Sequence, residues 1–234
     1  MYHLITGGSS GLGYEIAKLL VLMDEPVILI GRQVEKLKKA TDALKDLSKQ
    51  ADVLSYSLDI AIEEDIDAFI ETLITSGKTV KNLYNVAGTT FFGPVTEINR
   101  EDIDKVLNSN MIGLMLFTSK MVKVMLSQTH ETKRIVSVLS TAALKGKKNE
   151  TIYNAAKWGA RGYLESLRDE LSDKPIEVIN VFPGGMNTAF WSDSKSGYKT
   201  DSFMDPEDVA RHIVKSIIDT KVTVSDITIS RPKE

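Results

Sequence analysis

The chain has no cysteine, which excludes disulfides, thiolate metal sites and cysteine nucleophiles. Histidine is scarce. His3, His130 and His212 stand far apart without a ligand spacing such as HExxH, so no metal site is expected. An excess of charge is also missing: 29 basic against 32 acidic side chains leave a net charge of −3, with no general attraction to nucleic acid or an anionic membrane. No apolar run approaches the ~18 residues of a membrane span. The opening Met-Tyr-His-Leu-Ile-Thr-Gly has no room for a basic and then apolar leader. A soluble, cytoplasmic protein is expected, without nucleic-acid or membrane partners, in which local groups must catch any anionic ligand.

What is present is a globular composition, 42% hydrophobic and 26% charged, far from that of disordered or membrane chains. No Pro/Gly/Ser-rich stretch or charge run divides it, so residues 1–234 read as one α/β domain. Short β-branched runs at 2–6, 27–31, 52–57, 82–87, 133–139, 176–182 and 226–230 read as strands. Segments with apolar residues at i, i+3 and i+4 spacing, at 12–23, 33–49, 62–77, 100–128, 152–172 and 206–219, read as helices. That alternation is the form of repeated βαβ units and a parallel sheet. Asp205-Pro206-Glu207-Asp208 places a cap, a first-turn proline and acidic residues at a helix start. The segment 184–204 is the least regular. Its Phe190, Trp191, Tyr198 and Phe203 belong either to a lid over an apolar ligand or to a surface loop whose aromatics pack locally.

Thr6-Gly7-Gly8-Ser9-Ser10-Gly11-Leu12-Gly13 follows the first strand and opens the first helix, the context of a phosphate-binding turn. Gly7, Gly11 and Gly13 let the backbone approach a pyrophosphate, and the helix start with Ser9, Ser10 and Leu12 favours its charge. The second strand ends in Gly31-Arg32 without the Asp or Glu that would hold both ribose hydroxyls of NAD. Arg32 suits a 2′-phosphate instead, so NADP(H) is preferred and NAD(H) stays the alternative, no second basic residue lying within the glycine run. Asp59, followed by Ile60 after the third strand, either accepts from an adenine amino group or caps the next helix. Asn85-Val86-Ala87-Gly88 ends the fourth strand with residues small enough for a cofactor to lie against the backbone, or for a plain turn.

Tyr153 and Lys157 stand four residues apart at the start of a helix, so both lie on one face. An ammonium ~4–6 Å away favours the phenolate and lowers a tyrosine pKa by roughly 1–3 units. Such a tyrosine gives a proton to a carbonyl oxygen or takes one from an alcohol. The spacing is not specific by itself, because Tyr14 and Lys18 repeat it on the first helix. Tyr14 lies immediately after the phosphate turn, whereas Tyr153 lies after the fifth strand, whose end carries Ser140. Ser140, with Ser137 and Thr141 as alternatives, could hydrogen-bond the same substrate oxygen.

These residues resemble the classical short-chain dehydrogenase/reductases over nearly the whole chain. The likeness rests on Thr6-Gly7-x-x-x-Gly11-x-Gly13, Asp59, Asn85-x-Ala87-Gly88, Asn110, Ser140, Tyr153-x-x-x-Lys157 and Pro183-Gly184 followed by Thr188. It implies a Rossmann-like, doubly wound sheet of seven strands with helices on both faces. The thirteen-residue step from Ser140 to Tyr153 is the family's usual one and selects Ser140. The resemblance makes Tyr153 the acid/base, has Lys157 lower its pKa and hold nicotinamide-ribose hydroxyls, and has Asn110 hold a relay water. Thr188 is placed at the nicotinamide carboxamide, and the backbone of 181–184, including Pro183 and Gly184, along the ring. Val86, Ser137 and Leu139 depart from the family's commoner residues, and the C-terminus lacks its glycine-rich finish. The function implied is hydride transfer between a nicotinamide and a small carbonyl or alcohol. The alternatives are a catalytically silent dinucleotide-binding sensor or a sugar-nucleotide epimerase or dehydratase, the last disfavoured by the short stretch after Pro183. The long helices 100–128 and 152–172 suit a homodimer or homotetramer.

Overall fold

A computed structural model describes residues 1–128, 131–191, 200–218 and 222–231. His130, Tyr198, position 219 of the last expected helix and the 192–199 part of the expected lid lie outside them. Seven strands, β1 (Tyr2–Thr6), β2 (Val27–Gly31), β3 (Val53–Ser57), β4 (Val80–Asn85), β5 (Lys133–Val138), β6 (Ile176–Pro183) and β7 (Asp226–Ile229), make one sheet. All pairings are parallel, in the order β3-β2-β1-β4-β5-β6-β7. Helices α1 (Gly11–Leu22), α2 (Val34–Leu47), α3 (Glu63–Thr75), α4 (Arg100–Leu107), α5 (Gly113–Ser127), α6 (Thr151–Glu170) and α7 (Pro206–Ile217) alternate with the strands.

The central strands are apolar on both sides because both sides are covered. Along β2, Ile28 and Ile30 enter one core with Phe69 of α3, Phe117 of α5 and Leu164 of α6. Val27 and Leu29 enter the other, with Ile16 of α1, Leu44 of α2 and Ile213 of α7. Strand order reverses between β1 and β4, so consecutive crossovers leave toward opposite faces and a crevice opens beyond the C-terminal strand ends. Thr6 fastens this point. Its Oγ1 accepts from the backbone amides of Val86 at 3.1 Å and Ala87 at 3.2 Å, tying the end of β1 to the chain after β4.

The helix expected over 100–128 is not continuous. α4 begins on a capping box, in which Asn99 accepts from the Asp102 amide and Asp102 from the Asn99 amide, and ends at Leu107. One π turn, Asn108–Ile112, then separates it from α5. Tertiary contact explains the break: Gly113 packs so closely on Ile60 that a Cβ there would stand 2.9 Å from Ile60 Cγ1. Asn110 also donates its amide to the Val106 carbonyl at 2.9 Å. A side chain bonding back to its own helix loosens the regular ladder, and such π bulges are frequent at functional sites.

Near the N-terminal end of β1, away from the crevice, His3 is fully buried, its Nε2 3.2 Å from Glu25 Oε2 and its Nδ1 3.2 Å from Asn82 Nδ2. Burial, partly countered by Glu25, pushes the imidazole down to about 4. No helix among the described residues is long and apolar enough to cross a membrane.

Candidate active site

The crevice beyond β1 and β4 is a cleft of about 370 Å³. Gly7 enters it at a φ of +70°, a left-handed conformation that disfavours side chains, and a Cβ there would stand 2.9 Å from the Ala87 backbone. Gly7, Ser9, Ser10, Gly11, Leu12 and Gly13 all line this end. The Ser10 side chain makes no cap to α1, so the helix start keeps its amides for a ligand.

Arg32 lines the same end and is half exposed, its Nη1 3.5 Å from Asp59 Oδ2. Asp59 does not cap α3, whose N-cap is Ile62; its Oδ1 accepts from the Ala61 amide at 3.0 Å and folds the turn after β3. Asp59 and Ile60 both reach the cleft wall. A second cation, Lys36, stands there as well. It lies not within the glycine run but four residues after Arg32 on α2, where only the fold brings it in.

Asn85 does not line the cleft. It is buried beneath it, and its amide donates to Thr118 Oγ1 at 2.9 Å and Ser137 Oγ at 3.1 Å, joining β4 to α5 and β5. Ala87 and Gly88, next along the chain, form the floor. Gly88 is a cradle: a Cβ added there would meet Asn110 Oδ1 at 2.6 Å and lie 3.9 Å from Lys157 Nζ. Asn110 is fully buried in the π turn. Its amide donates to the carbonyls of Thr89 at 2.7 Å and Val106 at 2.9 Å, while its Oδ1 has no partner among the described residues.

Ser140, Tyr153 and Lys157 meet at the other end of the cleft. Ser140 caps a short 3-10 turn, accepting from the Ala142 amide at 3.0 Å, and its hydroxyl is close enough to Tyr153 to influence its proton affinity. The two competing hydroxyls are engaged elsewhere, Ser137 with Asn85 and Thr141 with Lys147 Nζ at 3.2 Å. Lys157 Nζ donates to the Val138 carbonyl at 3.1 Å and lies 5.7 Å from the centre of the Tyr153 ring.

The electrostatics correct one expectation. Tyr153 is pushed above the ordinary phenol range, first by burial and further by the Glu150 carboxylate, with Ser140 alone pulling it down. Lys157 is itself lowered to about 8 by burial. The spacing placed both on one face, but the lysine's hydrogen bond runs to Val138, and burial is the largest cause of the shift for each group.

Pro183, Gly184 and Thr188 close the cleft from above, Thr188 packing over the glycine turn, where a Cβ on Gly11 would lie 3.5 Å from its Cγ2. Phe190 and Trp191 form the outer wall. Phe190 meets Tyr153 edge-on at 6.0 Å, and Trp191 stacks on Phe92 at 5.1 Å and meets Phe203 at 4.9 Å. These aromatics both pack on one another and line the cavity. Thr90, Lys147 and Glu150 also line it, and none of them was singled out from the sequence. The signal for Glu150 was its place three residues before Tyr153, on the same helical face.

Together, the reversal of strand order, the glycine turn and a serine, tyrosine and lysine in one cleft define a dinucleotide-fold oxidoreductase. A family model for short chain dehydrogenase matches residues 2–199. Human 3-oxoacyl-(acyl-carrier-protein) reductase is 31% identical over 191 residues, covering 82% of this chain and 78% of that one. A short-chain dehydrogenase/reductase from Vibrio parahaemolyticus superposes with a TM-score of 0.85 at 33% identity, over 99% of this chain and 97% of the other. An actinorhodin polyketide ketoreductase solved with NADPH is 25% identical, with a TM-score of 0.85 and coverage of 98% and 95%. The chain belongs to the short-chain dehydrogenase/reductase family, oxidoreductases of carbonyl and alcohol groups that use a nicotinamide dinucleotide.

Proposed function

We propose that the protein is an NADP(H)-dependent oxidoreductase that moves a hydride between the nicotinamide and a small carbonyl or alcohol. The observation that carries this is one cleft with two unlike ends, Arg32 and Lys36 beside a glycine turn at one and Ser140, Tyr153 and Lys157 at the other. The glycine turn, from Gly7 through Ser9, Ser10, Gly11 and Leu12 to Gly13, holds the pyrophosphate. Arg32, assisted by Lys36, binds the 2′-phosphate that marks NADP. Asp59 and Ile60 flank the adenine. Ala87 and Gly88 lie under the ribose, with Asn85 bracing that floor from below. Pro183, Gly184 and Thr188 hold the nicotinamide.

When bound, the nicotinamide supplies or accepts the hydride. Ser140 donates to the carbonyl oxygen and orients it. Tyr153, kept protonated by its buried position, gives its proton to that oxygen during reduction. A developing alkoxide is more basic than a phenolate, so the transfer runs downhill even from a phenol with a raised pKa. Lys157 stabilises the phenolate left behind and holds ribose hydroxyls, and Asn110, whose Oδ1 lies beside Gly88, anchors the water that returns a proton to Lys157.

Residues 1–234 act as one unit, with 184–204 as its substrate wall, in the cytoplasm. The half-exposed Trp158 on α6 supports pairing of copies along that helix, as a homodimer or homotetramer. The test is titration with NADPH and NADH, followed by nicotinamide fluorescence, on wild type and Arg32→Ala. NADPH is expected to bind at least tenfold tighter, ~1.4 kcal/mol, and the variant to lose that margin. Equal affinities in the wild type sink the 2′-phosphate assignment, and failure to bind either sinks the dehydrogenase reading.

A further inference from the structure

Tyr153 lines the cleft, and its neighbour Asn154, about 100° further round α6, lies outside that lining. Asn154 is buried, and its side-chain amide donates twice, to the carbonyl of Ala142 at 3.0 Å and to that of Lys145 at 3.1 Å. Arg161, two turns along the same stripe of the helix, donates through Nη1 to the Ala143 carbonyl at 3.1 Å. Three carbonyls of the segment after Ser140 are thus held by side chains of the helix that carries Tyr153. Within that segment Ser140 Oγ accepts from the Ala142 amide at 3.0 Å, and the Ser140 carbonyl from the Ala143 amide at 2.9 Å. Ser140 and the turn therefore move as one unit, so a bond that fixes Ala142 also fixes Ser140. Ala142 shares an apolar cluster with Tyr153 and Ala156 as well. Apolar contact has no direction and holds the turn on the helix without setting its place there. The two bonds to one planar amide do set it. At this length of side chain an amide supplies two N–H donors, a serine hydroxyl one and an aspartate none. Asn154 Oδ1 has no partner among the described residues, so the donors account for the orientation of the group.

We propose that Asn154 is a positioning residue for the reaction: by tying the turn that begins at Ser140 to the helix that carries Tyr153, it sets whether the two hydroxyls can reach one substrate oxygen. The demand is geometric, because a displacement of about 1 Å in a reacting group can cost ~10²-fold in rate. Asn154 lies outside the cleft lining, so its loss is felt in turnover rather than in cofactor binding.

This rests on the dehydrogenase reading and is tested on a ketone that the purified wild type reduces with NADPH, chosen from a panel of alkyl and aryl methyl ketones. Asn154→Ala, which removes both donors, is expected to lower kcat at least about tenfold, with KM and NADPH affinity within about threefold of wild type. Asn154→Ser, which keeps one donor, is expected to lie between. Ser140→Ala supplies the second arm, with rates read in single turnover. On that background Asn154→Ala is expected to cost less than about twofold, because the group being positioned is gone. An equal loss on both backgrounds overturns the assignment, as the amide then supports something other than Ser140. So does an unchanged kcat in Asn154→Ala. Loss of NADPH binding in both Asn154 variants also overturns it, since the amide then holds the fold rather than the site. A wild type that binds NADPH tightly yet reduces none of the panel, and oxidises none of the matching alcohols, overturns the dehydrogenase reading itself and the assignment with it.

Discussion

Two helices of this protein start with the same pair, a tyrosine followed four residues later by a lysine, and only one pair lines the cleft. On α6 Tyr153 and Lys157 are buried against the cleft, among Ser140, Glu150 and Phe92. On α1 Tyr14 is half-buried outside the cleft lining, and Lys18 reaches the surface carboxylates of Glu15 at 3.2 Å and Glu207 at 2.8 Å. Spacing puts two side chains on one face of a helix. Desolvation, and what the rest of the fold sets opposite them, decides whether their protons can be moved usefully.

The largest effect belongs to the acid itself. Tyr153→Phe keeps the ring packed on Phe92 and Phe190 but removes the proton donor, so kcat/KM should fall by ~10²–10⁴ with NADPH affinity nearly intact. Tyr14→Phe should leave turnover unchanged. Steady-state kinetics on both variants test the contrast, and a Tyr153→Phe enzyme of near-normal rate ends the acid/base assignment.

A buried base far from the cleft gives the next effect, on stability. Unfolded His3 takes up a proton near 6.5 and folded His3 only near 4, because burial disfavours the cation. The unfolded chain therefore binds more protons between those values. The stability is fully present above pH 6.5 and is lost as pH falls toward 4, a change of roughly 3 kcal/mol. Urea unfolding at several pH values should give a curve that His3→Gln flattens in that window. Equal slopes for the two proteins would mean that His3 is charged in the folded state.

Lys157→Ala removes the ammonium that supports a Tyr153 phenolate. A loss equivalent to one pKa unit is ~1.4 kcal/mol, so oxidation of an alcohol at pH 7 should slow by about tenfold or more. The rate–pH profile should shift to higher pH, since the phenolate is then harder to form. A profile that stays in place would show that Lys157 only holds the cofactor.

How much of this could be read beforehand differs from part to part for physical reasons. The strands were legible because sheets covered on both faces need continuous apolar runs, and Val27 to Ile30 is such a run. The glycine turn was legible because Gly7 has no substitute at its conformation and its distance from Ala87. The π turn was not, since the break before Gly113 depends on its packing against Ile60, a contact from another part of the chain. Lys36 read as one more charge on the polar face of α2, and Glu150 as a residue before a helix. Only the closure of the cleft brought either to its wall. Ser140 was separated from Ser137 and Thr141 by family spacing alone, and the fold supplies the physical reason in the partners that engage the other two.

The smallest expected effect sharpens the comparison most. Lys18 is about one-quarter exposed and its two carboxylate partners face water, where ion pairs are screened and cost side-chain entropy to hold. Its ammonium is held up in pKa by those partners, Glu207 first, the opposite of the buried Lys157. Lys18→Met should therefore leave NADPH affinity and turnover within about twofold of wild type and barely move the melting temperature, with any loss disappearing in high salt. Measured beside Lys157→Ala, it asks whether position or spacing carries the chemistry. Should Lys18→Met slow turnover as much as Lys157→Ala, the pair on α1 is coupled to the cleft through the glycine turn, and burial is not what distinguishes the two helices.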